Sequence, residues 1–81
     1  MYYVYVLRSE KDGKFYIGST SDVNARLDNH NSGKQRSTRH RIPFKIVYTE
    51  KYVDKSDAIK REKQIKSYKG GEAFKRLISG M

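Results

Sequence analysis

Two runs of aromatic and β-branched residues near the start of the chain constrain the fold most. Tyr2 to Leu7 and Phe15 to Ile17 carry the residue types that suit a pleated, half-buried surface, and Asp12-Gly13 between them supplies a tight reversal. The pattern predicts an antiparallel hairpin whose strands contain Tyr3-Val4-Tyr5 and Tyr16-Ile17-Gly18. Side chains alternate across a strand, so the parity of the connecting loop decides where the tyrosines point. An even loop, Glu10 to Gly13 or Asp12-Gly13 alone, puts Tyr5 and Tyr16 on one side of the sheet, and an odd loop separates them.

After the hairpin, Ser19-Thr20-Ser21-Asp22 offers helix caps and Ser32-Gly33 a stop, so a helix is expected over roughly residues 22 to 32. Counting from Val23, its inward stripe reads Val23, Arg26, Leu27 and His30, which turns a guanidinium and an imidazole toward the interior. Lys34 to Arg41 has no apolar residue and reads as an exposed, mobile loop. Phe44 to Thr49 alternates as a third strand, continuing toward Val53 with a kink around Glu50-Lys51. Asp54 and Asp57 resemble a capping box for a helix from about Lys55 to Lys69, which Gly70-Gly71 interrupts. In that helix Glu62 sits three residues from both Ile59 and Ile65, on the apolar stripe. A last helix over Glu72 to Ser79 carries Ala73, Phe74, Leu77 and Ile78 as ordinary core. The expected fold is α+β: a small three-stranded antiparallel sheet flanked by helices in the order β-β-α-β-α-α, as one domain over residues 1–81.

Charge points to the partner. Lys plus Arg number 18 against 9 Asp plus Glu, a net charge of +9, and much of the excess falls in two segments. Lys34, Arg36, Arg39 and Arg41, with His40 among them, form an acid-free run, and Lys60 to Lys69 holds five cations against Glu62 alone. Phosphate backbones reward such patches through counterion release, so salt-sensitive nucleic-acid binding is expected. The absence of cysteine excludes disulfides, thiolate metal sites and a cysteine nucleophile. With no apolar run long enough for a membrane span or signal region, the expected setting is the cytoplasm.

Arg26, His30 and Glu62 occupy helix positions whose periodicity calls for apolar residues, and burying such groups unpaired is costly. Two arrangements satisfy them: an Arg26–Glu62 ion pair at the rim of the core, or a polar cleft shared with the strand tyrosines. In a cleft, these residue types suit phosphodiester hydrolysis. A lone carboxylate, Glu62, suits one hard cation such as Mg²⁺ that takes its other ligands from water and phosphate. Arg26 suits charge developing on phosphate oxygens, and Tyr16 suits proton abstraction from an attacking water. Tyr5 and His30 are placed to hydrogen-bond the water or phosphate or to assist proton transfer.

Tyr3-Val4-Tyr5, ten intervening residues, Tyr16-Ile17-Gly18, then Arg26, His30 and Glu62 on later helices resemble the GIY-YIG endonuclease family over nearly the whole chain. Asn31-Ser32-Gly33 and the Arg61-Glu62 to Lys66 segment are similar to its small stand-alone bacterial branch. The resemblance implies Tyr5 and Tyr16 as the motif tyrosines, with Tyr16 the favoured general base, Arg26 as the phosphate-stabilising arginine, His30 as an accessory histidine and Glu62 as the ligand of one Mg²⁺ or Mn²⁺. Lys34, Arg36, Arg39, His40 and Arg41 are then expected to grip nucleic acid. The implied activity is nicking or cleavage of DNA, with RNA as an alternative, in repair or processing. Two departures stand out: Tyr3-Val4 replaces Gly-Ile, and no asparagine follows Asn31, leaving Gln64 or Lys66 to stand in for a late asparagine some members use. The chain is expected to lack an appended DNA-binding domain and so to bind mainly by backbone charge, and a protein partner supplying specificity is a further expectation. The rival from another class is a non-catalytic nucleic-acid-binding module that stacks bases on strand tyrosines.

Overall fold

The computed structural model describes residues 1–79. Strand β1 (Tyr2–Ser9) pairs antiparallel with β2 (Phe15–Thr20) on one side and with β3 (Phe44–Tyr52) on the other, giving the order β2-β1-β3. Helix α1 (Val23–Asn31) follows β2, and helices α2 (Lys55–Ser67) and α3 (Glu72–Ser79) follow β3. The molecule is the expected α+β arrangement of a three-stranded antiparallel sheet with three α-helices.

The central position of β1 explains why its sequence is a continuous apolar run rather than an alternation: both of its faces are covered. Val4 and Val6 pack on one face with Ala58 and Ile65 of α2 and Phe74 of α3. Tyr5 and Leu7 pack on the other with Phe44 and with Val23 and Leu27 of α1. The hairpin loop runs from Glu10 to Gly13 and is even, so Tyr5 pairs with Gly18, Leu7 with Tyr16, and both tyrosines share the α1 face. Its hub is the buried Ser9 hydroxyl, which accepts from the backbone N–H groups of Lys11 and Asp12, each at 3.1 Å, and donates to the Arg41 carbonyl at 2.5 Å. Gly13 takes φ +72° to close the reversal, the left-handed conformation that glycine adopts without steric cost.

Four local expectations are corrected. The kink expected in β3 at Glu50-Lys51 is absent, because pairing with β1 continues to Tyr52. The irregularity lies instead at Val47, which has no partner between Val6↔Tyr48 and Leu7↔Ile46. That bulge turns Tyr48, Glu50 and Tyr52 toward the α2 face while Phe44 and Ile46 face α1. Helix α2 ends at Ser67, short of Lys69, because Lys69 (φ +51°) and Gly70 (φ +74°) both leave the right-handed region. Asp54 occupies the N-cap of α2 but its side chain makes no capping bond, so the capping box is not formed. Finally, the segment Lys34 to Arg41 is folded rather than loose. Thr38 is buried, the N–H groups of Thr38 and Arg39 donate to the Gln35 carbonyl, and Arg39–Arg41 form a 3-10 turn. The anchor is a polar side chain, which a search for apolar residues passes over.

The end of α1 is pinned to the start of β3 by one side chain. The Asn31 amide accepts from the Phe44 N–H at 2.6 Å and donates to the Phe44 carbonyl at 3.1 Å, copying a strand partner at the sheet margin. Asn31→Ala leaves both backbone groups without those bonds and is expected to cost on the order of 2 kcal/mol. Asn31→Asp, which keeps only the acceptor, is expected to fall between Asn31→Ala and wild type. Urea unfolding of the three proteins checks the ranking.

Candidate active site

Gly18 is the residue around which the tyrosines are arranged. A Cβ at this position would lie 2.5 Å from the Tyr5 hydroxyl and 2.7 Å from its Cζ, so the phenol of Tyr5 occupies the space a side chain would fill. Because β2 is an edge strand, a phenol lying over Gly18 is carried to the margin of the sheet. Tyr16, two residues away on the same face, stacks with Tyr5 at a ring separation of 6.4 Å and 26° between planes. His30 from α1 meets Tyr16 edge-on at 4.6 Å and Phe44 at 5.7 Å.

The chemistry of these groups follows from their surroundings. Burial, reinforced by the neighbouring Tyr16, pushes the Tyr5 phenol up to about 12; Glu62 adds to the rise, while the Arg26 guanidinium opposes it. Tyr5 therefore keeps its proton at neutral pH and serves as a hydrogen-bond donor. His30 is 1% exposed; its Nδ1 lies 3.1 Å from the Thr38 hydroxyl, and its Nε2 is buried without a protein partner. Burial, with the Arg26 charge behind it, lowers its pKa, so the imidazole stays neutral. Arg26 itself is exposed rather than turned inward, a correction to the helical count: α1 presents Val23, Leu27 and His30 to the sheet and carries Arg26 at the rim. Two solvent-open hollows of about 290 and 320 Å³ meet at Arg26 and share Thr20 and Ser21 with it.

Glu62 approaches the same strand from the opposite face. Its Oε1 accepts from the Ser19 hydroxyl at 2.7 Å and its Oε2 from Lys66 Nζ at 2.6 Å, and Ser19 also lines the hollow beside Arg26. Burial alone would raise this carboxyl, but the bonds from Lys66 and Ser19 outweigh it and hold Glu62 below the usual range. Glu62 is thus paired with Lys66 and not with Arg26, which removes the rim ion pair as the explanation for two polar residues on apolar stripes. The Tyr5 phenol over Gly18 and the Glu62 carboxylate on Ser19 thus reach adjacent residues of β2 from opposite faces.

Sequence reasoning passed over the residues that aim α2. Glu50 on β3 accepts a two-pronged contact from Arg61, Nε at 2.9 Å and Nη2 at 3.0 Å, and further bonds from the Tyr48 and Tyr52 hydroxyls. Arg61 and Glu62 are adjacent, so α2 grips β3 with one and β2 with the other across β1, which fixes its rotation. Ser19 and Thr38 were also missed in these roles, and Lys66, expected only as a stand-in for a late asparagine, instead holds the Glu62 carboxylate. A serine directly after the motif glycine and a lysine one helical turn after Glu62 were the available signals.

The basic segment divides. Lys34, Arg36, Arg39 and His40 are exposed, whereas Arg41 is directed into the fold, ion-paired with Asp12 at 3.1 Å, donating to the Phe15 carbonyl at 3.3 Å and lying 5.4 Å from the Phe44 ring centroid. Among the described residues no cluster of three or more His, Asp or Glu side chains could hold a metal, and no helix is long and apolar enough to cross a membrane. One carboxylate beside one hydroxyl fits only a hard cation that retains most of its water and takes phosphate oxygens as further ligands.

This constellation on a β-β-α-β-α-α frame is that of a small nuclease-type domain, and comparison with known proteins agrees. The GIY-YIG catalytic domain matches residues 1–74, and the chain belongs to the GIY-YIG family, nucleases that act on DNA and generally depend on a divalent metal. Within it, the relatives are UPF0213 proteins, the small stand-alone group the motifs resemble. One from Staphylococcus epidermidis is 41% identical over 80 residues, covering 98% of this chain and 96% of its own. One from Staphylococcus aureus is 44% identical over 68 residues, covering 83% and 82%. The solution NMR structure of a UPF0213 protein from Bacillus halodurans is 37% identical, covers 91% of this chain and 92% of that one, and has a TM-score of 0.49.

Two measurements probe this geometry. Gly18→Ala is expected to destabilise by about 1–3 kcal/mol, because the Tyr5 ring is buried and has little room to yield. The same change in a Tyr5→Leu background should cost less, and strict additivity of the two would show that the close approach is unimportant. His30 gives a pH signature. The unfolded chain binds a proton near pH 6.5 that the folded chain refuses, so stability is complete above that pH and falls as the pH drops toward the lower folded value. Urea midpoints are expected to decline between about pH 7.5 and about pH 5.5, and His30→Gln should narrow that decline.

Proposed function

We propose that this protein is a divalent-metal-dependent endonuclease that hydrolyses DNA phosphodiester bonds. The observation that carries the reading is that two adjacent residues of the β2 edge serve both faces: the Tyr5 phenol lies over Gly18, while Ser19 bonds Glu62 and lines, with Arg26, a hollow open to solvent. Arg26 is exposed there and suits the charge that builds on a phosphate during in-line displacement. Tyr5, with its pKa pushed up, donates a hydrogen bond to the phosphate or the water. Tyr16, stacked against it and only half-buried, is the general base that takes the water's proton. His30 is buried and neutral, so its part is to hold the Tyr16 ring from the edge and not to touch phosphate.

Glu62 is the residue to hold one Mg²⁺ or Mn²⁺, with Lys66 giving up its bond to the carboxylate. A bound ion of this kind supplies Lewis-acid polarisation of the phosphate and lowers the pKa of coordinated water. The exposed Lys34, Arg36, Arg39 and His40 grip the backbone, whereas Arg41 serves the fold. Backbone grip carries no sequence information, which suits structure-selective cutting in DNA repair or processing, or site choice delegated to a protein partner. A cysteine-free chain with no membrane-spanning helix among the described residues suits work in the cytoplasm. RNA as substrate is the lesser alternative.

One observation favours the rival, a non-catalytic nucleic-acid-binding module: the Glu62 carboxylate is already satisfied by Lys66 and Ser19. Nicking of branched and duplex DNA with Mg²⁺ or Mn²⁺ decides between them. Glu62→Gln and Tyr16→Phe are each expected to lower cleavage by at least about 100-fold, leaving DNA affinity in EDTA and the melting temperature nearly unchanged. Wild-type protein that binds all these substrates and cuts none would make binding the function.

A further inference from the structure

A third hollow, of about 360 Å³, lies further along β2 on the α2 face. Phe15 and Ile17 of β2 and Phe74 of α3 give it an apolar floor, with Phe15 and Phe74 packed edge-to-face at 5.0 Å. Its rim is cationic: Lys14, Lys66 and Lys69 line it and no carboxylate does. Its size falls at the lower end of small-ligand sites, about 300–1,000 Å³. Two features put it next to the candidate active site. Ile17 stands two residues before Ser19 on the same face of β2, about 7 Å along the strand. Lys66, on its rim, holds the Glu62 carboxylate at 2.6 Å.

Lys69 adds an independent observation. It is the one described non-glycine residue with positive φ (+51°), a conformation that costs a side-chain-bearing residue on the order of 1 kcal/mol and that glycine adopts freely. Glycines follow directly at positions 70 and 71, yet a lysine occupies this place and lends its side chain to the rim of the hollow.

We propose that this hollow is a subsite for an unpaired nucleotide adjoining the bond to be cut, its base lying on Phe15 and Ile17 and its phosphates meeting Lys14, Lys66 and Lys69. The assignment rests on the nuclease reading for its position relative to the scissile phosphate. Charge complementarity selects the occupant: an apolar floor with three cations at the rim matches a flat base on an anionic backbone, and a base has an apolar face whatever its sequence. Stacked nucleotides advance about 3.4 Å along a strand, so the distance from Ile17 to Ser19 spans one or two nucleotide steps. The substrate class that follows is DNA with a single-stranded element beside the cleavage point, such as a flap, gap or branch.

The test compares two DNA duplexes that carry a short flap of equal length and charge, one of thymidines and one of abasic residues, in EDTA so that nothing is cut. The thymidine flap is expected to bind about tenfold more tightly, the effect of one stacked base. It should shift the NMR resonances of Phe15 and Ile17, which the abasic flap leaves in place. Lys69→Gly keeps the backbone conformation and removes the ammonium, and it is expected to weaken both flaps without lowering the melting temperature. Equal affinity for the two flaps, or base-dependent shifts confined to other strands, would overturn the subsite. Cleavage of the same DNAs with Mg²⁺ separates the two claims. Cutting without base selectivity sinks the subsite alone, and base-selective binding at Phe15 and Ile17 without any cutting sinks the nuclease reading while leaving the base site intact.

Discussion

Burial of β1 on both faces is the constraint from which the remaining geometry follows. A strand with no solvent side must be flanked by two others and sandwiched between helices, which forces α1 to one face and α2 with α3 to the other. The candidate site residues carried by α1 and by α2 are then separated by the thickness of the sheet. They can be brought together only where the sheet ends, and the free edge of β2 is where this happens. Gly18 removes the remaining obstacle by leaving no side chain between the Tyr5 phenol and that edge.

The two faces are organised by different physics. On the α1 face the aromatic stack of Tyr5, Tyr16, His30 and Phe44 excludes water, and desolvation keeps Tyr5 protonated and His30 neutral. On the α2 face the apolar cluster of Val4, Val6, Ala58, Ile65 and Phe74 is accompanied by ion pairs and hydrogen bonds. Burial would raise the Glu50 carboxyl, but the Arg61 fork and two tyrosine hydroxyls together favour its ionised form enough to outweigh burial, so its pKa falls. Because Arg61 and Glu62 are consecutive, the rigid clamp on β3 and the reach toward β2 are one mechanical unit. A helix held only by its short apolar stripe of Ala58 and Ile65 would have more freedom to roll.

The basic surface is likewise divided by structure. Arg41 has the same charge as Arg36 and Arg39 and lies in the same acid-free run, yet it joins the hairpin loop to β3 through Asp12, the Phe15 carbonyl and the Phe44 ring. Its side-chain hydrogen-bond partners, Asp12 and Phe15, are 29 and 26 residues away in sequence, although the Phe44 ring is only three. Thr38 and Asn31 are similar cases. Each is a short polar side chain whose importance comes from a distant partner, the His30 imidazole or the Phe44 backbone.

Properties of neighbouring residues were legible from the amino-acid order: the hairpin, the α1 helix with a cap within Ser19 to Asp22, and the third strand, along with Tyr5, Tyr16, Arg26, His30 and Glu62 as site candidates. Periodicity and turn chemistry act over a few residues, so one chain displays them. The bulge at Val47, the early end of α2, the outward turn of Arg26 and the pairing of Glu62 with Ser19 were decided only in three dimensions. Those features depend on which surfaces meet across the sheet. A helical count shows which side chains share a stripe, but not whether a given stripe position lies under the sheet or beyond its edge, and for Arg26 and Glu62 that difference separates a buried ion pair from an open site.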